Sequence, residues 1–407
     1  MRIVLAPEGT RGDLEPMLAL GDGLRLRGHD VVVCTPPNFA ARVGSRGLGF
    51  RPVGCDVQEH LQGEARAILG GPLRLIGAAH RYTDASVRAQ FEALPEAAEG
   101  ADLIVGAGVQ LAAPSIAERL GVPYRYVIYC PGLLPSREHG PAILPVQPIP
   151  PWARRLAWWF ARGPFTTAMG WLVNRERRAM GLAPVRDGYT HLLGERPILA
   201  ADREVAPTPR DTPYDVVQTS SLQPATAAPL PEKLVDFLEA GSAPVYFGFG
   251  SMPDPDPTTT TRTLLRAIEH LGCRALLSSG WAGLGDGALP EGVMQLGDVD
   301  HRSLFPRCAA VVHHGGAGTT TAATRAGTPQ IVAPHVLDQF YWSDRVRSTG
   351  LGVAAPRRSQ LTSAALVGVL REVLENELLI ERCADVAERI RERLGEEAHP
   401  AEVLLSR

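Results

Sequence analysis

Val311-Val312-His313-His314-Gly315-Gly316-Ala317-Gly318-Thr319-Thr320 is an apolar run, a glycine-rich turn and the opening of a helix in one stretch. Glycine lets backbone N–H groups approach an anion closely, and a helix N-terminus adds a favourable dipole. His314 supplies a further donor for a diphosphate whose negative charge grows as a nucleotide departs. Thr319 and Thr320 suit either the cap of the helix or hydroxyl bonds to phosphate oxygens. A tight strand–helix turn with capping threonines would read the same way. The stretch lacks the lysine of G-x-x-x-x-G-K-[ST], and it is not a G-x-G-x-x-G after a first strand.

Working outward, the same grammar recurs. Segments 245–249, 274–278, 309–313 and 330–333 read as strands, with helices at 258–271 and 319–326 between them. The first half repeats it, with strands at 2–6, 30–34, 102–106 and 124–129 and helices at 16–27 and 111–120. Strands alternating with helices imply βαβ units and parallel sheets. The chain has 407 residues, beyond the roughly 250–300 at which one core stops growing. The expected architecture is α/β, with two Rossmann-like parallel-sheet domains facing each other across a cleft. Their expected bounds are 1–215 and 216–385, with 206–231 (rich in Pro, Thr, Ala and Ser) as linker. The amphipathic stretch 386–407 is expected to pack back on the first domain.

Composition excludes several classes. A net charge of −3, from 41 Lys+Arg against 44 Asp+Glu, argues against bulk electrostatic binding of nucleic acid. No apolar run approaches the ~20 residues of a membrane span. The N-terminal apolar run is too short for a signal peptide, and the six cysteines contain no C-x-x-C pair. These features point to the cytoplasm.

His314-Gly315-Gly316-Ala317-Gly318-Thr319, followed by Gly327-Thr328-Pro329-Gln330 and Asp338-Gln339, resembles the donor-binding signature of the UDP-glycosyltransferase superfamily (glycosyltransferase family 1). Gly9-Thr10-Arg11-Gly12-Asp13-Leu14-Glu15-Pro16 is similar to the start of its actinobacterial members. Those glycosylate antibiotic aglycones such as the vancomycin class, and bacterial sterol-type glucosyltransferases look much like them. The resemblance spans nearly the whole chain and includes 245–251 and Ser279-Gly280-Trp281. It implies a GT-B fold, with acceptor on the N-terminal domain and nucleotide sugar on the C-terminal one. The implied activity is inverting, metal-independent and cofactor-free. A hexose, glucose by the Asp-Gln pair, passes from a UDP- or dTDP-sugar to a hydroxyl of a hydrophobic natural-product aglycone. The partners are then a nucleotide-sugar donor and an apolar small molecule, without stable membrane insertion, in a monomer or dimer. A sterol or lipid glucosyltransferase at a membrane surface and an NDP-sugar 2-epimerase are the alternatives.

The resemblance assigns roles by residue. Asp13 is the base that takes the acceptor's proton, although an acid here also suits the first turn of a helix. The plant-style histidine near this point is absent. Thr10, which meets the β-phosphate as the domains close, and Gly12 are further donor-side residues. His314, Ser251 and the N–H groups of Gly316, Gly318 and Thr319 hold the diphosphate; a cap or turn is the plainer role for Ser251. Trp281 stacks on the base or is a core tryptophan. Val299 contacts the base through its backbone. Asp338 and Gln339 bind sugar hydroxyls or cap a helix. Asp298-Val299-Asp300 and Asp254-Pro255-Asp256 match the D-x-D of metal-dependent enzymes, a match common by chance, and no metal site is expected.

The aromatic run Pro151-Trp152-Ala153-Arg154-Arg155-Leu156-Ala157-Trp158-Trp159-Phe160 has three readings. With Leu134 from the proline-rich loop before it, Trp152, Trp158 and Trp159 would line an apolar acceptor pocket. The run also suits a membrane-surface helix, or a half-buried helix with solvated arginines.

Overall fold

Apolar residues, many of them β-branched, fill strands buried on both faces, as a parallel sheet requires. The computed structural model describes residues 1–54, 56, 72–250, 254, 256–280, 283–356 and 360–406. Among them, one sheet holds β1 (Arg2–Glu8), β2 (Asp30–Thr35), β3 (Gly49–Pro52), β4 (Leu103–Gly108), β5 (Tyr124–Ile128), β6 (Ile198–Ala200) and β7 (Val217–Thr219) in the order β3-β2-β1-β4-β5-β6-β7. The other holds β8 (Val245–Gly248), β9 (Ala275–Ser278), β10 (Val293–Leu296), β11 (Ala310–His313), β12 (Gln330–Val332) and β13 (Gly352–Ala354) in the order β10-β9-β8-β11-β12-β13. Neighbouring strands pair in parallel, with Glu8 opposite Gly108 in the first sheet and His313 opposite Gly248 in the second.

Strand order reverses between β1 and β4 and again between β8 and β11. The carboxyl ends of strands at such a reversal open a crevice, where doubly wound sheets bind ligands. β1 and β11 lead directly into the Gly9–Asp13 and His314–Thr319 turns, so the topology puts both sequence signatures at the two crevices.

Seven helices matter below: α1 (Arg11–Leu26), α2 (Pro72–Ala97), α3 (Pro151–Ala179), α4 (Ala317–Ala326), α5 (Gln339–Ser348), α6 (Glu377–Glu396) and α7 (Pro400–Leu405). α1 buries Leu14, Met17, Leu18, Gly21 and Leu24, a three-to-four-residue spacing that lays one face on the first sheet. It starts five residues before Pro16, the expected first position. Thr10 caps it and Asp13 completes a capping box, so the start is fixed by side-chain bonds and Pro16 is carried inside the helix.

Two expectations about domain limits need correction. β7 lies beyond residue 215 and pairs with β6, so the first domain extends at least to Thr219 and the expected linker contributes a strand. The C-terminal return is divided. α6 buries Leu379, Cys383, Val386 and Ile390 mainly within the second domain. The short α7 reaches the first, placing Ala401 and Leu404 in the cluster with Leu14, Leu18 and Leu24. Burying a leucine there contributes about 1.5–3 kcal/mol. Asp202, just after β6, ties both domains: it accepts two 2.8 Å bonds from Arg325 of α4 and a 3.3 Å bond from Arg393 of α6. Burial alone would raise its pKa, but the Arg325 bonds and the two charges hold it below the usual carboxylate range.

Candidate active site

The glycine-rich turn is supported from beneath by His313, which is fully buried at the end of β11. Gly315 N–H donates to His313 Nδ1 at 3.1 Å, so the proton of the neutral ring sits on Nε2, which donates to Gln330 Oε1 at 3.1 Å. Gln330 Nε2 then donates to Thr324 Oγ1 at 3.0 Å, and that hydroxyl donates to the Thr320 carbonyl at 2.8 Å. Burial drives the His313 pKa down to about 3, which keeps the ring neutral. The chain of bonds joins β11, β12 and α4 and fixes where the loop's amides point.

α4 begins at Gly316 with no side-chain cap. The Thr320 hydroxyl instead donates back to the Gly316 carbonyl at 2.9 Å. The capping role considered for the threonines is therefore not taken up. The N–H groups of Ala317, Gly318 and Thr319 lack intrahelical acceptors, as the first amides of any helix do. His314 lies above this end of the helix. A Cβ at Gly250 would come within 2.8 Å of its Cε1, and one at Gly316 within 2.6 Å of its Nε2, so the ring fits only between glycines. Burial lowers the pKa of the ring to about 4. At neutral pH it is an uncharged hydrogen-bond donor.

Gly315 packs on the next signature. A Cβ there would lie 3.0 Å from the Gln339 carbonyl oxygen. Asp338 occupies the N-cap position of α5 without capping it, and its Oδ2 accepts the indole N–H of Trp342 at 3.1 Å. Gln339 Oε1 accepts the N–H groups of His335 and Val336 at 2.8 and 3.0 Å, which holds the preceding loop. Leu337 has φ +53°, a left-handed conformation costing a non-glycine residue about 1–3 kcal/mol. That strain turns the chain so that Asp338 faces the first domain.

It lies near enough to Asp13 for the two charges to interact. Asp13 Oδ2 accepts the Thr10 N–H at 2.9 Å, while Thr10 Oγ1 accepts the Gly12 N–H at 3.2 Å. The Gly12 amide is thus already engaged within the turn. Any side chain at Gly9 (φ +149°) would collide with the Asp13 carboxylate, and a Cβ at Gly108 would lie 2.9 Å from Oδ1. Tyr129 donates its hydroxyl to the Asp13 carbonyl at 3.1 Å. Burial raises the Asp13 pKa to about 6, and the charge of Asp338 adds to the effect. Burial also raises Asp338 to about 6. Capping and acid–base chemistry, weighed as alternatives for Asp13, are compatible here: the cap holds the carboxylate at the crevice.

Other expected residues are placed as follows. Ser251 and Trp281 lie outside the described residues. Val299 packs beside the cluster containing Leu296 and Leu304. The two D-x-D carboxylates of 298–300 diverge: Asp298 accepts bonds from Arg11 at 2.8 Å and Arg42 at 2.6 Å, whereas Asp300 caps the turn at His301 and pairs with Arg302. Asp256 caps the helix Pro257–Leu271. The structure divides the four apolar residues expected to line an acceptor pocket. Leu134 is a core residue, and Trp158 is buried with its indole N–H on the His139 carbonyl at 3.0 Å. Trp152 and Trp159 point to solvent from the opposite face of α3. Both faces of this helix are apolar, so sequence alone did not tell which one packs.

Sequence reasoning missed Glu8. It is fully buried at the end of β1, where Ser86 and Tyr82 of α2 donate to its Oε1 at 2.7 and 2.8 Å. Its pKa is raised to about 7, mainly by burial and partly by the charge of Asp13. The clue lay in strand length: β1 continues through Pro7, placing Glu8 in the sheet rather than the turn. The Arg11–Asp298–Arg42 clasp, which joins the domains, was also unforeseen and has no local signature.

The chain is similar to known proteins along nearly its whole length. Residues 3–134 match the family described as "Glycosyltransferase family 28 N-terminal domain", and residues 281–406 match "Erythromycin biosynthesis protein CIII-like, C-terminal domain". Glycosyltransferase GtfE of Amycolatopsis orientalis is 36% identical over 98% of this chain and 98% of its own. Vancomycin aglycone glucosyltransferase of the same organism is 39% identical over 87% of this chain and 86% of its own. Among solved structures, the spinosyn rhamnosyltransferase SpnG superimposes with a TM-score of 0.70 at 19% identity, covering 99% of this chain and 98% of that one. That likeness establishes the two-domain glycosyltransferase fold.

Proposed function

The chain belongs to the glycosyltransferase family of GtfE and vancomycin aglycone glucosyltransferase, and from that premise we propose that it is an inverting enzyme transferring glucose from UDP- or dTDP-glucose to a hydroxyl of a hydrophobic natural-product aglycone. The observation that carries this reading is the placement of Asp13 at the crevice of the first sheet, near enough to Asp338 of the second domain for their charges to interact, on a helix that packs against α4, whose start is uncapped. The glucosyl preference rests on the Asp338-Gln339 pair and on the name of the 39% identical relative.

In this mechanism the acceptor oxygen attacks the anomeric carbon as its proton passes to Asp13. The bond from that carbon to the β-phosphate oxygen breaks, and the nucleoside diphosphate leaves carrying the electron pair. The amides at the start of α4 and the neutral His314 ring donate to the diphosphate, where negative charge develops. Asp338 faces the sugar side, its carboxylate directed at hydroxyls. Thr10, whose oxygen is occupied, retains its hydroxyl proton for the same phosphates. Ser251, Trp281 and the Val299 backbone complete the donor side in this reading. Developing charge is met by fixed dipoles, so no metal and no cofactor take part. A cytoplasmic location belongs to the reading too, and the free thiols Cys34, Cys130, Cys273, Cys308 and Cys383 suit a reducing compartment.

The test is transfer to a panel of glycopeptide, polyketide, sterol and flavonoid aglycones from each donor, with EDTA present, read by mass spectrometry. A product heavier by one hexose supports the reading. Release of free UDP with glycal intermediates and no acceptor product would replace it with an epimerase.

A further inference from the structure

An α-helix apolar all round is stable only if all of its surface is buried. α3 carries large apolar side chains on two sides, together with six arginines and one glutamate, and buries only one of those sides. One side packs inward through Trp158, Leu172 and Val173. The other leaves Trp152 83%, Trp159 69% and Phe160 59% exposed, with Leu156 between them. At 100° per residue these four positions fall on one stripe about a quarter-turn wide. Trp171 extends the exposed surface about three turns further, 57% accessible. Of the 14 exposed large hydrophobic residues among those described, eight lie between Leu133 and Trp171, including Ile143 and Val146 in the loop before the helix. Single exposed apolar residues are ordinary; a contiguous stripe marks a contact surface.

Charge identifies the contact. From His139 to Arg175 the chain carries no acidic side chain, while Arg154, Arg155 and Arg162 lie along the first turns of α3. Among the described residues Arg154 donates to the carbonyls of Ile149 and Arg137, bonds that do not neutralise its charge, and Arg155 is exposed beside the stripe. Arg162 pairs with Asp187. A second copy of this chain meeting the stripe about a two-fold axis would set these arginines against their own copies. An anionic bilayer offers the reverse: apolar depth for the rings, an interfacial zone suited to indoles, and phosphates for the guanidinium groups.

We propose that α3 is a peripheral membrane-docking helix, lying in the plane of an anionic lipid surface with Trp152, Leu156, Trp159 and Phe160 inserted and Arg155 at headgroup level. Among the described residues no helix is long and apolar enough to cross a membrane, and docking in the plane requires none. The opposite side of α3 leads into the cleft. Trp158 meets the His139 ring at 6.1 Å, and that ring meets Tyr341 of α5 at 5.5 Å, three residues from Asp338. A docked helix would set the mouth of the cleft near the lipid surface. The docking itself does not rest on the proposed transfer reaction.

Co-flotation of the full chain with vesicles of phosphatidylcholine mixed with phosphatidylglycerol, against vesicles of phosphatidylcholine alone, tests the assignment. Wild type is expected to float with the anionic vesicles and to be released by high salt. Trp152→Ser combined with Trp159→Ser should weaken flotation more than tenfold, and Arg155→Glu by about tenfold. Unchanged thermal unfolding and unchanged calorimetric UDP binding show that the variants are folded. Absence of flotation at low salt overturns the proposal. So does flotation unaffected by the paired serine substitution, or a dimer in light scattering that the same substitution dissociates.

Discussion

Asp298 of the second domain accepts a 2.6 Å hydrogen bond from Nη2 of Arg42 in the first. Arg11, two residues before Asp13, shares the same carboxylate. Asp298 follows β10 and adjoins Val299, so the Arg11 bond links the turn carrying Asp13 to the part of the second domain proposed to meet the nucleotide. Its side chain is about half exposed, and exposed pairs contribute only about 0.2–1 kcal/mol each. Asp298→Ala should therefore leave the unfolding temperature nearly unchanged while loosening the domains. The expected result is a larger radius of gyration in solution scattering and a raised KM for the nucleotide sugar.

The pH dependence follows from Asp13. A general base works when ionised, so transfer should fall as pH drops through about 6. Glu8 and Asp338 are the acids near it, and His314 is already neutral above about 4. The same shift has a consequence for stability. A carboxyl whose folded pKa lies above its unfolded value binds its proton more tightly when folded, so ionising it costs stability as pH rises towards and past that value. Asp13→Asn removes the charge and keeps an oxygen for the Thr10 N–H. It should unfold at a higher temperature than wild type at pH 8, with the difference shrinking towards pH 4 in calorimetry.

His314→Ala deletes a donor at the diphosphate. Loss of one such group costs about 10²–10³ in kcat. Because the ring is neutral throughout the working range, the residual activity should retain the wild-type pH profile. A changed profile would mean that the imidazolium, rather than the neutral ring, takes part.

His313→Ala tests the support beneath the loop. It leaves the Gly315 N–H and the Gln330 amide oxygen buried without partners, at about 1–3 kcal/mol for each unsatisfied group. Denaturant unfolding should show that loss, and UDP affinity should fall with it although His313 touches no ligand in this account.

The sequence was most legible where glycine and threonine punctuate it. The turn after β11 and the helix following it were located to within two residues, because few other arrangements accommodate Gly315, Gly316 and Gly318. The start of α1 was misplaced since Pro16 suggests a first turn, whereas the capping box set by Thr10 and Asp13 overrides it. β7 is three residues long in a proline-rich context and acquires strand character only by pairing with β6. The inward face of α3 was unreadable because both faces are apolar, and Arg42 reaches Asp298 across 256 residues without a local pattern.

The most direct test compares wild type with Asp13→Asn in hexose transfer, using nucleotide binding as the control. With Asp13 as the base, the substitution should cut the transfer rate by about 10²–10⁴ while calorimetric affinity for UDP or dTDP stays unchanged; transfer near the wild-type rate with intact nucleotide binding would contradict the assignment.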